Sequence, residues 1–468
     1  MSIPVQGDNR ASSVPKMAKQ EAETCDPATW DWVEASVWTD RMLAALDNGV
    51  KGGKWYSLFD KVYNPKTLKA AWKRVAANRG AAGVDQVSIK RFRCKAQLYL
   101  EELERELREG IFQPSVVKRV HIPKDKKKTR PLGIPTVKDR IVQTALKMVL
   151  EPVFEREFLP ISYGFRPGRG CKDALRQVDR LLKEGYTWVL DADIKSYFDT
   201  IPHVLLMNCL REKVSDGRIL HLIELFLNQA ILEDMKLWNP ISGTPQGSVL
   251  SPLLANVYLH QLDLTVHRSG FKMVRYADDW VVLCQSMEEA KDALSLIQSW
   301  INNNGLQLSP EKTHIGNSLQ PGHGFEFLGY RFEGGCRHVR SKSLKRFKDK
   351  LREKTRRTRG DSIEHIIFDL NLTIKGWFAY FIHAHRYTFN FLDGFIRRRL
   401  RAMLCKQQKR PGSGRTDRDH KLWRNAFFAE RGLFTMHKAY ESARLSPVMQ
   451  KCTKSGNEKC TTPRGLTW

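Results

Sequence analysis

The sequence is poor in several features that would define whole classes of protein. No apolar run approaches the length needed to cross a membrane, so we expect no membrane association. The first 27 residues lack the apolar stretch of a secretory signal, and their acidic residues are untypical of an organellar transit peptide. We therefore expect a cytoplasmic protein.

Cysteine pairing is equally sparse. The nine cysteines are scattered and form no CxxC pair, and Cys452 and Cys460 lie eight positions apart without a histidine cluster. This spacing is poor for structural zinc. We expect reduced thiols that behave as small apolar residues.

Acidic residues are too few to balance the basic ones. There are 51 Asp and Glu against 78 Lys and Arg, which gives a net charge of +27. So large an excess usually indicates a polyanionic partner such as nucleic acid. The 12 tryptophans and the 41% hydrophobic content exclude a mere disordered basic tail. The length of 468 residues fits roughly two to four domains.

Two adjacent aspartates raise the first functional question. In FKMVRYADDWVVLC (271–284), Asp278 and Asp279 lie between two runs of β-branched and aromatic residues that predict strands. A hairpin turn is one interpretation, because aspartate is common in turns. The usual two-residue hairpin contains Asn-Gly or Asp-Gly, however, and this stretch has no glycine. A metal site is the other interpretation, because carboxylates in apolar surroundings are costly unless paired or bound to a cation.

A third carboxylate could complete such a site. VLDADIKSYFDTI (189–201) begins as a buried strand, and side-chain alternation places Asp191 and Asp193 on one face of it. Asp199 follows about one helical turn later. Carboxylates from two such segments would hold a pair of Mg²⁺ ions for in-line phosphoryl transfer.

The order of the predicted elements favours an α+β architecture. A strand near 115–123 precedes the Lys-rich turn KDKKKTR (124–130) and a long helix that begins near Thr136. Further elements continue the mixed pattern: a strand at 187–194, an apolar helix at 248–262, the hairpin at 272–284, a helix at 287–303 and strands at 325–332.

Beyond Gly335 the composition becomes strongly basic. Residues 337–359 contain 12 Lys or Arg against two acids, and 397–410 add seven more basic residues. Charged runs usually form solvated helix faces, but interleaved aromatic residues here also favour contact with nucleic acid. Three helices are predicted, at about 341–358, 362–382 and 387–408, followed by a linker at 411–419.

A set of ordered motifs gives the chain a family resemblance. DIKSYFDTI, then SGTPQGSVLSPLLANVYLHQLD, then VRYADDWVVL resemble the reverse transcriptases of bacterial group II introns. LNLTIKGWFAYF (370–381) is similar to the maturase segment of that family. The similarity covers roughly residues 60–445. Five further segments fit in order: NRGAAGVD, TRPLGIPTVKDRIVQTAL, SYGFRPGRG, LSPEKT and FEFLGYRF.

This resemblance implies an α+β right-hand polymerase fold, in which fingers and a palm with an antiparallel sheet precede a helical thumb. The domains expected from it are an N-terminal extension at 1–55, fingers and palm at 56–334, a thumb and maturase domain at 335–410, a DNA-binding-like segment at 411–445 and a tail at 446–468.

The resemblance also assigns the catalytic centre. Asp193, Asp278 and Asp279 match the family's ligands for two Mg²⁺ ions. Asp193 lies five residues before the aromatic Phe198, as the family pattern requires, whereas Asp191 does not. Lys312 in LSPEKT matches a lysine thought to protonate the leaving pyrophosphate.

Other matched positions surround the dNTP substrate and the nucleic acid. Phe198 would pack under the sugar and exclude a 2′-hydroxyl, although a core aromatic is the simpler alternative. Arg and Lys suit triphosphate oxygens as a fork and as a point charge. The remaining positions matched to the nucleotide are Lys124, Arg130, Ile194 and Gln246. Those matched to nucleic acid are Arg166, which could instead cap a turn, Gly247, Arg397, Arg398 and Arg399.

The implied partners are a group II intron RNA, an RNA template–DNA primer duplex and target DNA, in the bacterial cytoplasm. Many relatives end in an HNH endonuclease with cysteine pairs, and this chain shows none. We therefore expect that it does not cut the second DNA strand itself.

Three functions are compatible with these motifs. The leading one is an RNA-directed DNA polymerase that also promotes splicing and mobility of its host intron by target-primed reverse transcription. The second is an RNA-binding splicing cofactor whose polymerase is idle. The third is a reverse transcriptase without an intron, as in defence-associated or diversity-generating systems; KGWFAYF (375–381) favours the intron.

Overall fold

The computed structural model describes residues 30–123 and 129–445, which form two compact units. The domain boundaries expected after residues 334 and 410 stay predictions. The first unit comprises Met1–Phe158, Arg166–Gly168 and Ile201–Tyr258, and the second comprises Leu159–Phe165, Arg169–Thr200 and Leu259–Trp468, within the described ranges.

Eighteen α-helices, interspersed with short strands, lie along the described part of the chain. Their bounds are α1 Asp40–Asn48, α2 Phe59–Tyr63, α3 Pro65–Ala77, α4 Ile89–Cys94, α5 Ala96–Glu109, α6 Val137–Glu155, α7 Cys171–Lys183, α8 Tyr197–Thr200, α9 His203–Arg211, α10 Gly217–Leu227, α11 Ser251–Arg268, α12 Met287–Asn303, α13 Ser341–Lys354, α14 Ile363–Phe381, α15 Tyr387–Gln407, α16 Asp417–Leu422, α17 Asn425–Glu430 and α18 Met436–Leu445.

The strands form three sheets, in the orders β2-β1-β4-β5, β6-β7-β3-β8 and β11-β10-β9. Their bounds are β1 Val117–Pro123, β2 Thr129–Ile134, β3 Trp188–Asp193, β4 Ile231–Glu233, β5 Lys236–Trp238, β6 Lys272–Tyr276, β7 Asp279–Cys284, β8 His314–Asn317, β9 Phe325–Phe327, β10 Tyr330–Glu333 and β11 Cys336–Val339.

Helix α6 is the centre of the first unit. Thr136 caps it, because its side chain accepts a hydrogen bond from the Asp139 amide at 3.2 Å. The predicted start near Thr136 is therefore confirmed. The apolar face predicted for this helix is fully buried, and it comprises Ile141, Val142, Ala145, Leu146 and Val149.

The second unit is built on the antiparallel sheet β6-β7-β3-β8. Strand β3 pairs with β7 from Trp188↔Cys284 to Asp193↔Asp279, so the strand and the hairpin found in the sequence are direct neighbours. Helix α12 begins where predicted, because the Ser286 side chain accepts from the Glu289 amide at 3.1 Å.

The helices of the basic region carry a large apolar core, which sequence reasoning underestimated. Phe347 and Trp377 stack with ring centroids 4.3 Å apart, and Phe347, Phe378 and Phe381 are all at least nine-tenths buried. These rings therefore pack in the core, and contact of the basic region with nucleic acid stays a prediction. The rings join α13, α14 and α15 to one another and to the sheets of this unit.

The predicted linker at 411–419 is partly helical. Thr416 and Asp419 form a capping box at the start of α16, in which each side chain accepts from the other's backbone amide. Asp419 is 2% exposed and also accepts a hydrogen bond from Cys405 Sγ at 3.3 Å. Composition alone missed this buried anchor, since both contacts depend on side-chain geometry.

Over the described ranges, none of the helices is both long enough and apolar enough to span a bilayer.

Candidate active site

The Asp278–Asp279 pair lies at a tight turn between β6 and β7. Tyr276 pairs directly with Asp279, so only Ala277 and Asp278 form the loop, and Asp279 opens the second strand. Ala277 adopts φ +60°, the left-handed conformation that glycine usually provides in such turns. The two aspartates therefore lie at a hairpin turn and could still form a metal site. The left-handed conformation of Ala277 costs about 1–3 kcal/mol in backbone strain.

The register places two of the predicted metal ligands opposite each other. Asp193, the last residue of β3, pairs with Asp279, the first residue of β7. Directly opposed like charges destabilise a sheet. Burial, together with the nearby Asp278 and Asp193 carboxylates, raises the pKa of Asp279 to about 6. A cation between these strands would relieve both costs.

Lys312 is brought to the same point by the loop before β8. Its ammonium contacts the Asp193 carboxylate. The loop is fastened by the Ser309 amide, which donates to the Asp193 carbonyl at 2.8 Å, and by a bridge between Ile194 and Leu308. These two contacts hold the LSPEKT segment against the end of β3, so that Lys312 lies beside Asp193.

Asp191 shares the face of Asp193, as the strand period predicted. It pairs with Val281 on one side and with His314 on the other. Burial, and then the proximity of Asp279, raise the pKa of Asp191 to about 7.

A buried ion pair supports the turn from beneath. Arg275 and Asp263 are both fully buried, and their two hydrogen bonds form a fork between guanidinium and carboxylate, with Nε to Oδ1 at 2.7 Å. Arg275 Nη1 also donates to the Ala277 carbonyl at 3.0 Å. The Arg275–Asp263 pair therefore holds Ala277 in its strained left-handed conformation. Sequence reasoning missed it, although Arg275 stands three residues before Asp278.

The SYGFRPGRG segment packs against the same turn. The Tyr163 amide donates to the Arg275 carbonyl at 2.8 Å. A Cβ on Gly164 would lie 2.2 Å from the Ala277 nitrogen, so only glycine permits this approach. Close packing on the β6–β7 turn accounts for the glycine in this motif.

Arg166, from the same motif, belongs to the first unit and has a structural partner there. Its side chain is 3% exposed and forms a forked ion pair with Glu155, while Nη2 donates to the Phe158 carbonyl at 3.2 Å. These contacts occupy its guanidinium inside the fold. Its expected contact with nucleic acid stays a prediction.

Three of the remaining predicted residues meet on the first unit. Arg130 Nε donates to Gln246 Oε1 at 2.8 Å, and the Gly133 amide donates to the Gln246 carbonyl at 2.6 Å. Gly247 has φ +111°, and a Cβ there would lie 2.2 Å from the Gly133 carbonyl oxygen. The PQG loop therefore lies against β2 and fixes the exposed Arg130. Lys124 lies outside the described residues.

Ile194 follows Asp193 directly, and Phe198 lies five residues after it. Phe198 is half-buried, with its ring edge-on to Phe165 at 6.4 Å and to Tyr197 at 5.5 Å. Ile194 is 2% exposed, so a nucleotide would meet its backbone rather than its side chain. Both roles stay predictions.

The three arginines of α15 differ in their surroundings. Arg399 donates to the Thr355 hydroxyl at 3.0 Å and to the Thr355 carbonyl at 2.7 Å, which ties α15 to the end of α13. Arg398 lies over the Phe395 ring at 5.4 Å, and Arg397 is half-buried. Arg399 therefore has a structural role whether or not it contacts nucleic acid.

The carboxylates do not form a closed metal cage. In residues 30–123 and 129–445, no group of three or more His, Cys, Asp or Glu side chains is arranged to hold a metal ion alone. Mg²⁺ usually keeps several waters and binds one or two carboxylates together with substrate phosphates. The opposed, half-buried carboxylates of Asp193 and Asp279 fit that open kind of site.

An antiparallel sheet with two opposed aspartates, a third on the turn and a lysine beside them is an arrangement that suits nucleotidyl transfer. The model of the family "Reverse transcriptase (RNA-dependent DNA polymerase)" matches residues 122–332, and that of "Group II intron, maturase-specific domain" matches 344–423. The predicted α+β right-hand polymerase fold is thereby confirmed.

Curated relatives agree with these matches. The chain is 33% identical to Protein YkfC of Escherichia coli over 65% of this chain and 86% of that protein. It is 30% identical to the group II intron-encoded protein LtrA of Lactococcus lactis over 70% of this chain and 65% of LtrA. An uncharacterized 91 kDa protein in the cob intron of Schizosaccharomyces pombe is 33% identical over 47% of this chain and 34% of its own length.

The chain belongs to the group II intron reverse transcriptases, which are RNA-directed DNA polymerases with a maturase-specific domain. The maturase match supports intron RNA as a partner.

The buried pair beneath the turn yields a stability prediction. We expect Arg275→Met to lower the free energy of unfolding by about 3–5 kcal/mol, because Asp263 is left buried and unpaired. Adding Asp263→Leu should recover most of the loss, since no charge then remains. Urea unfolding followed by tryptophan fluorescence measures both variants.

Arg176→Met is the matched control, because its partner Asp173 is on the surface and the two side chains are 68% and 39% exposed. Its loss should stay below about 1 kcal/mol. Equal losses for Arg275→Met and Arg176→Met would contradict a supporting role for the buried pair.

Proposed function

We propose that this protein copies RNA into DNA at Asp193, Asp278 and Asp279, which bind two Mg²⁺ ions together with the dNTP. We further propose that it binds its host group II intron RNA, promotes splicing and returns the intron to target DNA by target-primed reverse transcription. The opposition of Asp193 and Asp279 in one antiparallel register is the observation that carries the polymerase proposal.

When bound, the ions would lower the pKa of the primer 3′-hydroxyl and neutralise charge on the departing pyrophosphate. The protein's part is to hold the carboxylates at the end of β3 and on the β7 turn, so that little reorganisation is needed. Lys312 contacts Asp193 and its side chain is 63% exposed, which supports a role as the proton donor to pyrophosphate.

On the first unit, Arg130 and Gln246 support a phosphate-binding role. The exposed guanidinium is oriented by the Gln246 amide oxygen, and a planar fork suits phosphate oxygens. On the second unit, the half-buried ring of Phe198 supports contact with the sugar of the nucleotide.

A cationic and aromatic surface on α13 and α15 supports binding of RNA. Lys348 lies 4.4 Å from the Phe391 ring centroid, and Arg352 and Arg398 lie 5.6 and 5.4 Å from that of Phe395. Phe391 is 52% exposed. Exposed rings flanked by cations bind unpaired bases by stacking and phosphates by charge, which suits structured RNA.

The polymerase proposal predicts a separation of activities. Asp278→Ala should reduce Mg²⁺-dependent DNA synthesis on an RNA template by about 10³-fold, because a metal ligand contributes several kcal/mol to the transition state. Intron RNA affinity should be unchanged, because the RNA surface on α13 and α15 does not include this turn. Primer extension and filter binding measure the two activities.

Asp292→Ala removes an exposed carboxylate from α12 and should change neither activity. Full DNA synthesis by Asp278→Ala would contradict the assignment. An absence of synthesis by the unaltered chain would favour the splicing cofactor with an idle polymerase.

Phe198 yields a prediction about sugar selectivity. Phe198→Ala should raise ribonucleotide incorporation relative to deoxyribonucleotide incorporation, because the ring no longer blocks the 2′-hydroxyl. Competition between rNTP and dNTP in primer extension measures the ratio. Unchanged selectivity would assign Phe198 to core packing alone.

The intron proposal is tested by the RNA that the protein carries. We expect that purification from the host recovers an excised intron that encloses this reading frame, identified by sequencing the bound RNA. A scatter of unrelated transcripts would instead favour a reverse transcriptase without an intron, such as a defence-associated or diversity-generating enzyme.

A further inference from the structure

The turn between β9 and β10 connects the maturase helix to a catalytic carboxylate. Its two residues, Leu328 and Gly329, have φ of +48° and +82°. Gly329 adopts this conformation easily, whereas a branched side chain such as that of Leu328 rarely does. Such strain persists only where surrounding contacts hold it, so the contacts of Leu328 are informative.

Two neighbours contact the turn at Leu328. The backbone of Leu328 faces the Asp279 carboxyl and lowers the pKa of that group by hydrogen bonding, against the burial that raises it. The Leu328 carbonyl accepts a hydrogen bond from the Tyr380 hydroxyl at 2.8 Å. One residue in a left-handed conformation therefore stands between a catalytic aspartate and helix α14.

The contact is reciprocal. The Tyr330 hydroxyl, next to the turn, donates to the Tyr380 carbonyl at 2.6 Å. Tyr330 is fully buried, and its ring centroid lies 6.1 Å from that of Tyr380 and 5.1 Å from that of Phe381. Two hydrogen bonds thus join the end of α14 to the β9–β10 turn: the Tyr380 hydroxyl donates to the Leu328 carbonyl, and the Tyr330 hydroxyl donates to the Tyr380 carbonyl.

We propose that Tyr380, within the maturase-specific match, is a positioning residue for DNA synthesis: its hydroxyl holds the Leu328 turn so that the Leu328 backbone orients Asp279. Tyr380 touches no reacting group in this scheme. The inference rests on the proposed function, because it concerns how Asp279 is held during polymerisation.

The test is Tyr380→Phe in the full-length chain, which removes one oxygen and keeps the ring. We expect kcat for single-nucleotide extension of an RNA template–DNA primer to fall about fivefold, as for loss of one hydrogen bond. The KM for dNTP should stay within about twofold, because the residues that bind the nucleotide are unchanged. The Mg²⁺ concentration for half-maximal rate should rise, because Asp279 is less well oriented.

Tyr440→Phe is the matched control, since it also removes one tyrosine hydroxyl from a helix of the same unit, α18. The Tyr440 ring packs on that of Phe389, with the ring centroids 5.2 Å apart. It should change neither kcat nor the Mg²⁺ requirement. Tyr330→Phe is the second test, because it removes the reciprocal hydrogen bond. We expect the same direction of change, smaller than for Tyr380→Phe, and it serves alone if Tyr380→Phe does not fold.

Unchanged kcat in folded Tyr380→Phe or, if that variant does not fold, in Tyr330→Phe would overturn the inference. A loss that appears wholly in KM, or that Tyr440→Phe shares, would also overturn it. The proposed function is judged separately, by whether the unaltered chain extends the primer at all, so the two failures are distinguishable.

Discussion

The second unit has to hold two half-buried carboxylates, those of Asp193 and Asp279, directly opposite each other in an antiparallel sheet. Asp193 and Asp279 repel one another there, and burial disfavours the charge of Asp279 further. Lys312 and the buried Arg275–Asp263 pair lie around this point and make the arrangement tolerable.

These supports come from distant parts of the chain and converge on strained backbone. Ala277 and Leu328 both adopt left-handed conformations, and each has its carbonyl held by a side chain, Arg275 in one case and Tyr380 in the other. Strain fixed in this way is a means of preorganisation, because the carboxylates need not rearrange when cations and substrate arrive. The maturase-specific helix α14 contributes to this support, so the two matched regions are joined physically as well as in sequence.

Local signals predicted much of this from the sequence. Hydrophobic periodicity, strand propensity and capping residues all act over a few residues. They predict the strand ending at Asp193, the β6–β7 hairpin, helix α12 and the start of α6. Other features depend on contacts between segments far apart in the chain, which a single sequence does not reveal. They are the Arg275–Asp263 pair, the Leu328 turn and the burial of Phe347 and Phe378. The same limit explains why composition predicts a linker at 411–419, although α16 begins at Asp417.

The most direct test of the account is an experimental structure of the protein with an RNA template, a chain-terminated DNA primer, the matching dNTP and Mg²⁺. The account predicts two cations at about 2.1 Å from carboxylate oxygens of Asp193, Asp278 and Asp279, bridged to the triphosphate, with Lys312 moved from Asp193 toward the phosphates. Cations bound elsewhere, with Asp193 still paired to Lys312 and the triphosphate away from β3 and β7, would contradict it.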